Sequence, residues 1–423
     1  MKYLISLAAI LLFQSPAIAQ SASILDTSRA LRAETREAAG QGDWEAARRT
    51  NAAALALQPG HPGLLNNALL IARFGEDERG QIEALQAIAR AGLAFDLDGL
   101  EGLEALQRSH ADALDQIRAQ LAQNTNPVGT ARPVASPSLA NALIEALEID
   151  SETERVYLGG VAQRRIYRTD PYDPTVAEVM TGEDEAIGSI FGLAVDRRRG
   201  RLYAAEGVID GVTPVNEGET LGTSVLELDL ETGDVLERHT LEGAARIGDV
   251  FVRDSIVYAS DAEGGRIYRL EPGEPMEVFA EDPRFASLQG VISARGAVFV
   301  ADYALGLWRI DPVTRQASLM RPPQGASLIG LDGLAVDRAG RVFVVRNGAA
   351  PYGVFELEFD RNSELSALTP ILLGDERLGE PVTVRLTDGR AFLINDAQWR
   401  YFEGEDADAE ARTDPIILSV ELD

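Results

Sequence analysis

Carboxylates and side-chain amides stand at repeated positions in the second part of this 423-residue chain, each at the edge of a short apolar run. Asp332 opens Leu331-Asp332-Gly333-Leu334-Ala335-Val336, and Glu145 opens Ile144-Glu145-Ala146-Leu147. Gln289 stands in Leu288-Gln289-Gly290-Val291, Asp249 follows Gly248, and Glu380-Pro381 precedes another apolar run. A second series, Glu206, Asp261, Asp302, Asn347 and Asn395-Asp396, closes the runs that come next. Such oxygen donors are hard ligands suited to Ca²⁺, Mg²⁺ or Mn²⁺. Other chemistries are poorly supplied. The chain has no cysteine, which excludes disulfides, thiolate metal sites and cysteine nucleophiles. Of its histidines only His239 falls in this part, within Arg238-His239-Thr240, an outer run, so a Ser-His-Asp triad has no base. Gly264-Gly265 lacks the spacing and helical context of a phosphate loop.

Short strands must bring these groups together. Runs such as Arg155-Val156-Tyr157-Leu158 and Arg341-Val342-Phe343-Val344 recur with one aromatic marker each: Tyr157, Tyr203, Tyr258, Phe299, Phe343 and Phe392. The markers are 46, 55, 41, 44 and 49 residues apart. A third strand follows in most units, as in Arg266-Ile267-Tyr268-Arg269-Leu270 and Leu307-Trp308-Arg309-Ile310, and an outer strand comes after it. Six units of four short strands predict a six-bladed β-propeller. In such a meander the heads of the inner strands and the ends of the second strands share one face of the ring. Glu145, Gln289, Asp332, Glu380 and either Gly248 or Asp249 are therefore expected at the channel mouth. The sixth unit ends with its third strand, Ile416 to Leu422, so its fourth must come from elsewhere. Ala131 to Ala135 is the candidate, and Pro133 within it suits an outer edge.

Leu331-Asp332-Gly333-Leu334 and Leu288-Gln289-Gly290-Val291 resemble the paired motifs of the gluconolactonase and senescence-marker-protein family. The resemblance runs over about 139–423 and implies a propeller holding one divalent cation in its channel. It implies Glu145, Gln289 and Asp332 as metal ligands, with Asp249 near a further family position. It also implies Asp332 as the base in lactone or ester hydrolysis. The chain departs from the family pattern in two places: Gln289 stands where the family has the shorter Asn, and Ala146-Leu147 where it has Gly-Pro.

The first part has another character. From Ile24 to about Asn124 it is rich in Ala, Leu, Arg and Glu with apolar residues at helical spacing. Asp43 is a good N-cap, Pro59 stops the helix before it, and Pro62 begins another. The turns Gly42-Asp43 and Gly75-Glu76 lie 33 residues apart, which resembles degenerate tetratricopeptide repeats. That resemblance implies a groove for a peptide or protein partner. Trp44 and His61 read as packing and turn residues. Ahead of the helices, Lys2, the apolar run Tyr3 to Phe13 and Ala17-Ile18-Ala19 form a signal-peptide pattern, cleaved after Ala19 and implying periplasmic or secreted export. The expected organisation is 1–19 signal peptide, 20–124 helical repeats, 125–138 linker and closing strand, and 139–423 propeller. A net charge of −28 disfavours nucleic acid and anionic membrane. Two functions follow: an exported scaffold binding a protein or small molecule at the propeller mouth, or a metal-dependent lactonase or esterase centred on Asp332. The long connections 207–223 and 398–415 are lid or partner-binding candidates on the mouth face.

Overall fold

The computed structural model describes residues 23–170, 172–181, 186–241, 243–387, 389–404 and 407–422. The signal-peptide pattern lies outside the described residues. Among those described, no helix is long and apolar enough to cross a membrane.

Five helices come first: α1 (Ile24–Gly40), α2 (Trp44–Leu57), α3 (Pro62–Phe74), α4 (Glu78–Arg90) and α5 (Leu103–Thr125). Each packs against the next. The starts of α1 to α4 are fixed by side chains that accept otherwise orphaned backbone amides. Asp43 caps α2 through Ala46 N at 2.9 Å, and Asp77 caps α4 through Gly80 N at 2.9 Å. His61 caps α3 by accepting from Leu64 N, and Trp44 stacks on Phe74, so both are turn and packing residues as expected. Leu65, Leu69, Leu85, Ile88, Leu114 and Ile117 supply the buried stripes that hold the helices together.

The rest forms six four-stranded antiparallel sheets. Blades one to five are consecutive meanders whose inner strands are Ile144–Ile149, Ser189–Asp196, Ile247–Arg253, Leu288–Ala294 and Leu331–Val336. The six marker aromatics are at most 6% exposed. They stand on the second strands, and their size fills the wedge between neighbouring blades. Blade six takes Val384–Thr387, Arg390–Ile394 and Ile417–Glu421 from the end of the chain, and Ala131–Ala135 from before blade one. Ala131 pairs with Val420 and Pro133 with Leu418. The predicted closing strand thus seals the ring, and Pro133 sits on its outer edge.

The helices rest on the mouth side of blades four and five. Gln58 Nε2 donates to the Ala304 carbonyl at 2.9 Å, Ser327 N to Ala91 O at 2.9 Å, and Ala94 N to Ala350 O at 2.9 Å. Ala349 of blade five joins the apolar core of the helices. Closure of the ring should be worth as much as any other seam. Leu418 is fully buried beside Pro133 and Leu393. Leu418→Ala should cost about 2–5 kcal/mol in urea unfolding, as Leu→Ala does in a core that cannot collapse around the hole.

Candidate functional site

Each of the first five inner strands carries a register irregularity next to its head. Pairing breaks between Ile144 and Ala146, Ile190 and Gly192, Ile247 and Asp249, Leu288 and Val291, and Leu331 and Leu334. A bulge leaves one residue unpaired and re-aims its side chain. The residues so presented are Glu145, Phe191, Gly248, Gln289 and Asp332. The glycine that follows in two of them is a packing requirement. A Cβ on Gly290 would stand 2.3 Å from Leu334 N, and one on Gly333 would stand 2.7 Å from Thr383 Cα. In Gln289-Gly290 and Asp332-Gly333, therefore, the first residue faces the channel and the second lets adjacent inner strands touch.

This register settles the position in blade three. Gly248, not Asp249, corresponds to Gln289 and Asp332; Asp249 lies one residue deeper, where blades four and five have glycine. Asp249 has another partner. Arg385 of blade six reaches across the channel, its Nη2 3.0 Å from Asp249 Oδ1 and 3.2 Å from the Leu193 carbonyl of blade two. Its Nε lies 3.4 Å from Glu148 of blade one. Burial works against this cation, but Asp249 and Glu148 outweigh it and hold the guanidinium charged. Asp249 is thus drawn to an internal cation, away from the mouth group in which it was expected.

At the mouth itself Glu145 feels the charge of Asp332. Burial pushes the Glu145 carboxyl up to about 8, the Asp332 charge adds to the push, and the Trp399 N–H opposes it. That N–H donates to Glu145 Oε2 at 2.7 Å. Burial raises Asp332 to about 7; the hydrogen bond from Asn347 lowers it, the charges of Asp249 and Glu380 raise it, and Arg246 lowers it. Asn347 Nδ2 donates to Asp332 Oδ2 at 2.7 Å and to the Pro381 carbonyl at 2.8 Å. Asn347 is 4% exposed, and its Oδ1 is buried without a partner. Gln289 is turned sideways: its Nε2 donates to Ser287 Oγ at 3.2 Å, and its Oε1 lies beside Gly248. The donors available near these carboxylates are thus oxygens, including one acceptor that nothing among the described residues satisfies. This set fits a hard cation.

Most second-strand carboxylates do other work. Asp261 accepts from the amides of Arg246 and Gly264, and Asp302 from those of Ala286 and Ala304 and from Trp308 Nε1. Asp396 likewise accepts from Glu380 N and Gln398 N. They brace loops, and Asn347 alone of the series engages Asp332. Among the described residues, one group of three acid or histidine ligand atoms lies within 4.8 Å of one another: Glu227, Glu237 and His239, on the outer strands of blade two and away from the mouth.

Both long connections reach the mouth. Ile209 and Val212 of the first, and Trp399 and Phe402 of the second, pack with Leu143, Val161 and Phe191 in one apolar cluster. The first loop is pinned by Arg164, whose Nη1 donates to Glu219 at 2.8 Å and to the Pro214 carbonyl at 2.7 Å. Tyr303 faces the opposite side of the mouth; burial and then the charges of Asp332 and Glu380 raise its hydroxyl. Sequence reasoning missed Arg385, Trp399, Tyr303 and Arg246. Arg385 had a usable signal, as a lone cation within an inner-strand run; the other three stand on connections whose path no local pattern gives.

No family model matches the chain, and no curated protein matches it. The chain is a six-bladed β-propeller with a helical N-terminal part. Solved structures similar to it include a gluconolactonase from Xanthomonas campestris (16% identity, 70% of this chain and 99% of that chain, TM-score 0.43). A luciferin-regenerating enzyme (12% identity, 70% and 98%, TM-score 0.47) is another, as is an aldose sugar dehydrogenase from Streptomyces coelicolor (12%, 70% and 99%, TM-score 0.46).

Removing Arg385 should leave two buried carboxylates without a counter-charge. Arg385→Met is expected to cost about 3–5 kcal/mol in urea unfolding, and adding Asp249→Asn and Glu148→Gln should recover most of it. Glu145 and Asp332 act in the opposite direction to a paired carboxylate. Their folded pKa values lie above the unfolded ones, so the native state binds more protons and loses stability as pH rises. Calorimetry in metal-free buffer should show a melting temperature that falls between about pH 5 and 8. Glu145→Gln should gain on wild type over that range by more than about 2 °C.

Proposed function

We propose that the propeller mouth binds a small oxygen-bearing ligand through a divalent cation held by Glu145 and Asp332, with Asn347 Oδ1 and Gln289 as further oxygen donors. The observation that carries this reading is the two partly buried carboxylates with no cation within hydrogen-bond reach among the described residues, together with the unsatisfied amide oxygen of Asn347. Burial and mutual repulsion make such groups retain protons toward neutral pH, and a cation can take the place of a proton in relieving that cost. Arg385 pairs with the deeper carboxylates, Asp249 and Glu148, and the mouth pair is left for a ligand. Export, as the N-terminal pattern implies, would place the site where calcium affinities of about 10⁻⁴–10⁻³ M suffice. The groove lined by Arg48, Asn51, Leu55 and Leu65 among the helices suits a peptide partner in the same scaffold reading.

A second reading is hydrolysis of a lactone or ester. It is favoured by the hold of Asn347 on one Asp332 oxygen, which leaves the other free to orient or deprotonate a water. A bound divalent cation would polarise the carbonyl under attack. Tyr303 and Trp399 would wall the substrate, and the two long loops would limit access of bulk water.

Calcium or manganese titration followed by thermal melting tests the first reading. The wild type should be stabilised by about 2.7 kcal/mol at a hundredfold excess over Kd, and Asp332→Asn and Glu145→Gln should lose that gain. No shift in the wild type rejects the cation site. For the second reading, Asp332→Asn should lower lactone or aryl-ester turnover by at least about 10²-fold.

A further inference from the structure

A second cavity, of about 520 Å³, opens where the ends of α4 and α5 face the outer strands of blade five. Its volume is in the range of about 300–1,000 Å³ typical of small-molecule sites. Phe355, Leu368 and Leu373 give it apolar walls. Two cations, Arg90 and Arg346, line it together with side-chain amides of α5, and no carboxylate contributes. In a chain with 67 acidic residues against 39 basic ones, that lining is a local reversal of charge.

Arg346 is 1% exposed. Its Nη2 donates to the Gly92 carbonyl at 3.0 Å and the Pro351 carbonyl at 3.2 Å, and its guanidinium lies 4.5 Å from the centre of the Phe355 ring. Its Nε is buried and has no hydrogen-bond partner among the described residues. Among the described residues no carboxylate forms an ion pair with it. The position itself is unusual. Arg346 pairs with Leu331 as Asp261 pairs with Ile247 and Asp302 with Leu288. Blade five thus has a cation where blades three and four have the aspartate that braces their loops. Clamping the end of α4 accounts for Nη2 only. Arg90, the last residue of α4, has no ion pair among the described residues and supplies a second, more exposed cation at the same cavity.

We propose that this cavity is a binding site for a small organic anion, with its carboxylate or phosphate group on Arg346 and Arg90 and its apolar body against Phe355 and Leu368. A buried charge without a partner is costly, and the planar guanidinium presents donors that match either head group. The site is separate from the channel mouth and does not depend on what binds there.

Thermal melting of the full chain with phenylacetate, phenyl phosphate and the neutral phenylacetamide, at matched concentration and ionic strength, tests it. Either anion should raise the melting temperature with concentration while phenylacetamide does not, and the larger shift identifies the head group. Arg90→Gln should weaken Kd about tenfold and Arg346→Gln should abolish the shift. Should Arg346→Gln fail to fold, Gln123→Glu, which adds a carboxylate to the lining, should weaken binding by at least as much as Arg90→Gln. An anomalous signal from bromophenylacetate in this cavity supports the assignment, and one found only elsewhere overturns it. No shift with either anion, an equal shift with phenylacetamide, or unchanged binding by Arg90→Gln also overturns it.

Discussion

Arg385 is the interaction on which the inner architecture depends. One side chain from blade six touches carboxylates of blades one and three and a carbonyl of blade two. Inner strands in a propeller converge, and the side chains they aim inward must either pack or be compensated. Here compensation comes from a guanidinium whose several donors are spread over neighbouring blades. The charges it neutralises lie below the bulged strand heads. What remains above is a mouth with a surplus of carboxylate, and its chemistry follows from that division.

The division also leaves two carboxylates at the mouth without a paired cation among the described residues. Glu145 and Asp332 are each held by one uncharged donor, Trp399 Nε1 and Asn347 Nδ2. Neutral donors orient a carboxylate without removing its charge, so the pair stays electrostatically unsatisfied and responsive to a cation or a proton. Loops contribute as much as strands to this arrangement. Trp399 arrives from the long connection of blade six, and Tyr303 from the short turn of blade four.

Periodicity made the ring legible in the sequence. The aromatic markers recur because each blade needs one large side chain in its wedge, and Pro133 betrayed an edge strand because proline cannot donate to a ladder. The side-chain direction of Glu145 and Asp332 was legible for the same reason, since both stand at the same point of a repeated strand. The register of blade three was not. A bulge shifts a side chain by one residue without changing the apolar pattern around it, so Gly248 and Asp249 looked equivalent until pairing was known. Contacts across the channel were equally hidden. Nothing near Arg385 in the sequence names Asp249, 136 residues away.

The seam of blade six bears on how the molecule can form. Ala131 and Val420 pair across 289 positions of chain, and the pairing closes the entire ring. Entropy penalises so distant a contact, and blades already formed between the two strands shorten the loop that must be closed. A growing chain can therefore build its helices and blades one to five in order, while the edge of Ala131–Ala135 waits for the last strand. The proline of Ala131–Ala135 guards the outer edge against a further strand, while the inner edge stays open to the last strand. Ring completion therefore requires strands from both ends of the propeller to meet.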